Sequence, residues 1–219
     1  SNETAGEHFT PREVIRLMVN LLFIEDGDVL SKPGVVRTIY DPTAGTGGML
    51  SVAGEYLTEH NPQARLTMFG QELNPESYAI CKADLLLKGE DDEAENIVGG
   101  ADKSTLSADQ FPSREFDFML SNPPYGKSWK TDLERMGGKA NFSDPRFLVS
   151  HEGDPEFTLI TRSSDGQLMF LVNKLQKMKH GTALGSRIAL VHNGSALFTG
   201  DAGQVESDIR RWAIENDCL

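Results

Sequence analysis

The sequence predicts an α/β fold with a mostly parallel sheet, strand order 3-2-1-4-5, and a cleft at the carboxyl ends of the strands. Three observations carry this expectation. Short apolar and β-branched runs alternate with stretches of helical periodicity along the chain. The first run, Val35-Val36-Arg37-Thr38-Ile39-Tyr40, passes straight into Asp41-Pro42-Thr43-Ala44-Gly45-Thr46-Gly47-Gly48, the glycine-rich turn of a nucleotide-binding unit. A second run over residues 66–72 ends in Glu72, about 25 residues beyond that turn, where such folds place an acid against ribose hydroxyls. With 219 residues and 38% hydrophobic content, one good core and a single domain over 1–219 are expected.

Taken in order, Thr10-Pro11-Arg12-Glu13 reads as a capping box, with Thr10 as N-cap and Pro11 opening the helix. That helix is expected to bury Val14, Leu17, Met18, Leu21 and Leu22. Turn signals at Asp26-Gly27-Asp28 and Ser31-Lys32-Pro33-Gly34 precede the first strand. Helical periodicity resumes from Gly48 to Leu57; the lack of a Lys-Ser/Thr pair after the glycines argues against a P-loop. Asn74-Pro75-Glu76 caps a helix to Lys88, with Ala79, Ala83, Leu86 and Leu87 as its packing face and Gly89 as its stop. The acidic run at 89–95 reads as a solvated loop, and 96–100 as a third strand.

Phe116-Asp117-Phe118-Met119-Leu120-Ser121 is a short buried strand that stops at Asn122-Pro123-Pro124-Tyr125. Two prolines leave that tetrapeptide little conformational freedom. It suits a planar amine: the Asn122 side-chain oxygen and the Pro123 carbonyl could take the two hydrogens of an adenine amine and push its nitrogen towards a tetrahedral, nucleophilic shape. Tyr125 could stack on the base, a contact of roughly 1–3 kcal/mol. Alone, the four residues read more readily as a strand-ending turn; their place downstream of the glycine turn reverses that preference. Residues 126–165 show little periodicity and are expected to be an irregular, substrate-facing segment. A helix with Leu168, Leu171, Val172, Leu175 and Met178 inward follows, ending at His180-Gly181. Then come a buried strand at 187–191, a turn at Asn193-Gly194-Ser195, and an amphipathic helix marked by Ile209, Trp212 and Ala213.

In this order the motifs resemble a Rossmann-like S-adenosylmethionine-dependent methyltransferase of the N6-adenine DNA type. More narrowly, the chain resembles the modification (M) subunit of type I restriction-modification systems. The narrower resemblance rests on His8-Phe9-Thr10-Pro11, the glycine turn, Gly70-Gln71-Glu72-Leu73-Asn74, Asn122 to Tyr125 with Trp129-Lys130, and Asp165-Gly166-Gln167-Leu168-Met169-Phe170-Leu171. It implies methyl transfer from S-adenosylmethionine to the N6 of a flipped adenine in DNA, without a metal. Asn122, Pro123, Pro124 and Tyr125 would be the catalytic residues. Phe9, Thr10 and Pro11 would touch the methionine end of the cofactor, and Asp41, Thr43, Ala44, Gly45, Thr46, Gly47 and Gly48 would surround it. The helix N-terminus facing its carboxylate is a contact of about 0.3–1 kcal/mol when exposed. Asp41 would hold the amino group, or simply cap its own turn. Glu72 would hold the ribose with Leu73 beside it, Asp102 would accept from the cofactor's adenine amine, and Asn122 would also contact the cofactor. The wording at 101–106 departs from the family pattern, so a turn cap stays open for Asp102. Lys127, Trp129, Lys130 and Lys139 are candidate DNA contacts, with a small local core as the alternative for Trp129. The family fold adds an antiparallel strand pair, so the chain is expected to stop before it.

A formal net charge of −12 argues against this chain gripping a long duplex by itself. The resemblance supplies the partners that would: DNA, a specificity subunit that reads the target, and a restriction subunit. The fragment alone is accordingly expected to depend on partners for activity. Cys81 and Cys218 lack metal-ligand spacing and give no disulfide frame. No apolar run is long enough to span a bilayer and no signal peptide is legible, so a cytoplasmic location without membrane partners is expected. Two rival activities remain: an RNA adenine or protein glutamine N-methyltransferase, served by the same Asn-Pro-Pro-Tyr loop, and a nicotinamide-dependent oxidoreductase, because Gly45, Gly47 and Glu72 loosely satisfy a dinucleotide pattern.

Overall fold

The computed structural model describes residues 9–151, 154–202 and 205–218. In chain order the elements are α1 (Arg12–Phe23), α2 (Gly27–Ser31), β1 (Val36–Asp41), α3 (Gly48–His60), β2 (Arg65–Glu72), α4 (Pro75–Leu87), α5 (Asp91–Glu95), β3 (Ile97–Gly99) and β4 (Phe118–Ser121). They continue with α6 (Lys130–Arg135), β5 (Leu148–His151), β6 (Asp154–Thr158), α7 (Gln167–Leu175), β7 (Arg187–Leu190) and α8 (Glu206–Glu215). Five strands form one parallel sheet in the order β3-β2-β1-β4-β7. This is the expected 3-2-1-4-5 arrangement, with an antiparallel hairpin, β5-β6, interposed before the fifth core strand.

Alternation along the central strands divides the core between the two faces of the sheet. Ile39, Phe118 and Leu120 join the cluster under α1 and α3, with Phe23 tilted against Phe118 at 4.7 Å between ring centroids. Tyr40 and Met119 point the other way, into a cluster with Phe69, Phe111 and Phe116, where Tyr40 stacks on Phe116 at 4.6 Å. A third cluster holds Trp129, Leu133, Phe147 and Leu159 with Leu168, Met169, Phe170 and Val172 of α7 and Ile209 of α8.

Several local expectations are corrected. In α1 the inward face is Ile15, Met18, Val19, Leu22 and Phe23, while Val14, Leu17 and Leu21 face solvent. Apolar residues line both sides of this helix, and the choice is made by α3. Arg12, Arg16 and Asn20 bond to Glu55, Glu59 and Tyr56 along the flank of that contact. In α4 the buried residues are Ser77, Cys81 and Leu85, spaced four apart, and Ala79, Ala83, Leu86 and Leu87 are exposed. The acidic run forms α5 and turns Ala94 inward. The expected irregular segment contains α6 and the hairpin, elements too short and too charged to print a period. Trp129 is 3% exposed and its indole N–H donates to the Arg162 carbonyl at 2.9 Å, so its local-core reading holds. α7 stops at Leu175 rather than near His180, and Met178 instead bridges to Phe116. β7 is half-buried rather than buried, because it is the edge of the sheet.

Candidate active site

The glycine turn, Glu72, the segment carrying Asp102 and the Asn122 loop emerge at the same end of the sheet. Asp41, Glu72, Gly99, Ser121 and Leu190 are the last residues of their strands, and parallel register sets them side by side: Asp41 beside Gly70, Glu72 beside Gly99, Ser121 beside Leu190. β1 and β4 are direct neighbours, so the glycine turn and the Asn122 loop leave adjacent strand tips at one rim.

The glycine turn is backed on one side and open on the other. Gly47 caps α3 in the left-handed region, at φ +83°, and a Cβ there would lie 2.6 Å from the Cys81 sulfur. Gly45 also has positive φ, but its missing Cβ would point into open space. Ala44 is tied by its N–H to the Gln71 carbonyl at 3.0 Å, and the Gly45 N–H donates to the Glu72 carboxylate at 2.7 Å. The other Glu72 oxygen accepts from the Asn74 N–H at 2.7 Å. Asp41 is buried; one oxygen accepts from the Thr43 N–H at 2.9 Å and the Thr43 hydroxyl at 3.3 Å, so the turn-capping reading is realised. Its other oxygen has no hydrogen-bond partner among the described residues. Burial pushes the Asp41 carboxyl upward, and the Thr43 donors and the charge of Lys174 oppose that push. Such a carboxylate beside an open glycine cradle and a second acid fits the ammonium and ribose ends of S-adenosylmethionine.

At the second loop the Asn122 amide is held from both ends. Its nitrogen donates to the Thr10 hydroxyl at 2.9 Å, and the Tyr125 hydroxyl donates to its oxygen and lies 3.2 Å from the Val191 carbonyl. This overturns the capping box. The Thr10 side chain makes no cap bond to α1, whose N-cap is Pro11, because its hydroxyl is committed to Asn122. Pro123 is buried and Pro124 exposed. Among the described residues no donor reaches the Pro123 carbonyl.

The structure thus brings Thr10, Asn122 and Tyr125 into contact, and separately joins Asp41 with Thr43 and Gly45 with Glu72. Thr46 and Gly48 sit in the same turn and at the start of α3. Phe9, Pro11 and Leu73 are exposed beside these groups in sequence, and Asp102 is an exposed turn residue just beyond Gly100, whose N–H bonds the Glu72 carbonyl. His8 lies outside the described residues. Lys127, Lys130 and Lys139 are exposed. Three supporting residues were given no role of their own by the sequence. The buried Gln71 side chain clasps Lys103, Ala108 and Gln110 backbone groups, Arg146 bonds the Thr105 and Leu106 carbonyls, and Lys174 lies buried against Ser121.

Known proteins resemble this chain in sequence and in fold. The chain is 36% identical over 218 residues to the MjaVII type I restriction enzyme methylase subunit of Methanocaldococcus jannaschii, covering 98% of this chain and 32% of that one. It is 26% identical over 215 residues to the MjaIX methylase subunit of the same organism, covering 98% and 33%. The chain therefore spans about a third of the length of these relatives. Among solved structures it superposes on a type I restriction-modification methyltransferase subunit from Streptococcus thermophilus with TM-score 0.68 and 30% identity, covering 96% of this chain and 39% of that one. The fold is Rossmann-like, of the methyltransferase class. The family model described as N-6 DNA Methylase matches residues 1–219, and the chain belongs to that family.

Proposed function

We propose that this chain carries the catalytic centre of a type I restriction-modification methylase subunit, a cytoplasmic enzyme that methylates the N6 of a flipped adenine in DNA. The observation that carries the reading is the Asn122 amide, oriented by Thr10 and Tyr125 at a strand tip adjoining the glycine turn. S-adenosylmethionine, when bound, supplies a methyl group on a sulfonium. On this reading Asp41 faces the cofactor's amino group, residues 43–48 wrap its methionine end, Glu72 takes the ribose hydroxyls, and Leu73 and Asp102 flank the adenine. Phe9, Thr10 and Pro11 close the methionine end from the other side.

The adenine amine is held by two acceptors, Asn122 Oδ1 and the Pro123 carbonyl, with Pro124 fixing the loop. Tyr125 then gives up its hydroxyl contact with Asn122 or keeps it while its ring meets the base. Extruding the base costs a few kcal/mol, which these contacts offset. Attack on a sulfonium carbon needs alignment more than acid or base help, so the side chains act mainly by positioning. The acidic charge leaves duplex binding to partners: a specificity subunit, with a restriction subunit in the full system.

Asn122→Ala should cut turnover strongly while leaving cofactor affinity near that of the parent protein. Single-turnover transfer and calorimetry with S-adenosylhomocysteine read the two effects separately, and a matching loss of affinity would contradict this division of roles. Offering DNA, RNA and protein substrates to the same preparation distinguishes the adenine-DNA reading from other planar-nitrogen transfers.

A further inference from the structure

Lys174, on α7, is fully buried. An ammonium in such a place loses its hydration and persists only beside groups that replace it. Its Nζ makes a hydrogen bond to the hydroxyl of Ser121, the final residue of β4 and the one directly before Asn122. The second group acting on it is Asp41, the final residue of β1: burial drives the lysine downward and the carboxyl upward, and each opposes the other's shift. Asp41 keeps one buried oxygen without a hydrogen-bond partner among the described residues, and Glu72 adds a second negative charge near it. From the segment after β7 comes His192, bonded through Nδ1 to Gln167 at 3.2 Å and held neutral by burial and by the nearby ammonium, with its pKa pushed down to about 4. One lysine thus sits behind the tips of β1 and β4, the two strands from which the glycine turn and the Asn122 loop depart.

We propose that Lys174 is a positioning residue for methyl transfer, fixing the Asn122 loop through Ser121 and placing its head group behind the neighbouring tip of β1, where Asp41 opens the cofactor turn. The proposal rests on the reading of the cleft given above. A lysine serving only to fill α7 would have no reason to bond the last residue of β4 within reach of the charge at the tip of β1. With the ammonium replaced by an apolar group, only the Thr43 bonds still oppose the upward push that burial gives the Asp41 carboxyl, and Asp41 becomes a weaker counter-charge for the cofactor's ammonium. The Ser121 hydroxyl loses its partner at the same time, and a loop displacement near 1 Å costs about a hundredfold in rate.

Three variants separate these effects in the intact protein with its partner subunits: Ser121→Ala, Asp41→Asn and Lys174→Met. Affinity is read by calorimetry with S-adenosylhomocysteine, and single-turnover transfer is measured at saturating donor on duplex DNA. Ser121→Ala should lower the rate about tenfold with unchanged affinity, and Asp41→Asn should weaken affinity about tenfold. Lys174→Met should do both. A folded Lys174→Met protein with parental rate and affinity, or one altered only in melting temperature, overturns the proposal. If that variant does not fold, the other two decide, and a Ser121→Ala protein with the parental rate is refuting. Failure of the unaltered protein to bind S-adenosylhomocysteine would overturn the cleft reading and this proposal together; an insensitive Lys174→Met variant in a protein that does bind overturns this proposal alone.

Discussion

Replacing Thr10 by Val tests whether the two ends of the chain cooperate at one amide. Valine keeps the shape and β-branching of threonine and removes only the oxygen that accepts from Asn122 Nδ2 at 2.9 Å. A neutral hydrogen bond contributes about 0.5–1.5 kcal/mol net. Asn122 is only half-buried, so water takes up part of the loss and a figure near 1 kcal/mol applies, roughly a fivefold smaller fraction of correctly turned amide. Turnover should fall by that factor in rapid-quench single-turnover experiments at saturating donor. Thr10→Ser, which keeps the hydroxyl, should retain most of the rate. Tyr125→Phe removes the opposite restraint on the same amide, so the double variant should depart from additivity. A Thr10→Val protein with the parental rate, or a Thr10→Ser protein equally impaired, would refute the reasoning.

Two further outcomes concern the frame. Gly47→Ala places a side chain at φ +83° and 2.6 Å from the Cys81 sulfur, which should cost about 1–2 kcal/mol in backbone strain and about 1–3 in overpacking. Cys81→Ala should recover the overpacking share in urea titrations, and simple additivity of the two changes would argue against the contact. Burial raises the Asp117 carboxyl, but its bonds from Lys179 at 2.7 Å and from the Thr38 N–H and hydroxyl at 2.9 Å outweigh this and hold it below the usual carboxylate range. The stability it contributes is therefore present above the unfolded-state value of about 3.9 and lost as pH falls through the lower folded-state value. Asp117→Asn should destabilise by about 1–3 kcal/mol at neutral pH and flatten the acid limb of the stability curve; an unchanged acid limb would show the carboxylate is not responsible.

What was legible in the sequence is what depends on backbone demands and strand alternation. The glycine turn, the proline-locked loop and the acid at the end of β2 each require particular residue types at their own positions, and all three sit where parallel pairing puts them. Helix faces were harder. In α1, Val14, Leu17 and Leu21 make as good a stripe as Ile15, Met18 and Val19, and only packing against α3 and the sheet chooses between them. Thr10 satisfied a local capping rule, yet its hydroxyl went to Asn122, 112 positions away. Lys174 illustrates the same limit: a lysine in a helix reads as solvent-facing, and nothing nearby in the chain announces Ser121 and Asp41. The hairpin of β5 and β6 and the six-residue α6 are shorter than any period can register.

The Glu72 carboxylate braces the Gly45 amide and the Asn74 amide with separate oxygens. An engineer seeking to admit a bulkier donor analogue should therefore leave this acid untouched, since altering it would slacken the neighbouring loop as well as the sugar contact proposed for it. Leu73, next along the chain and 45% exposed, offers the safer place to carve room.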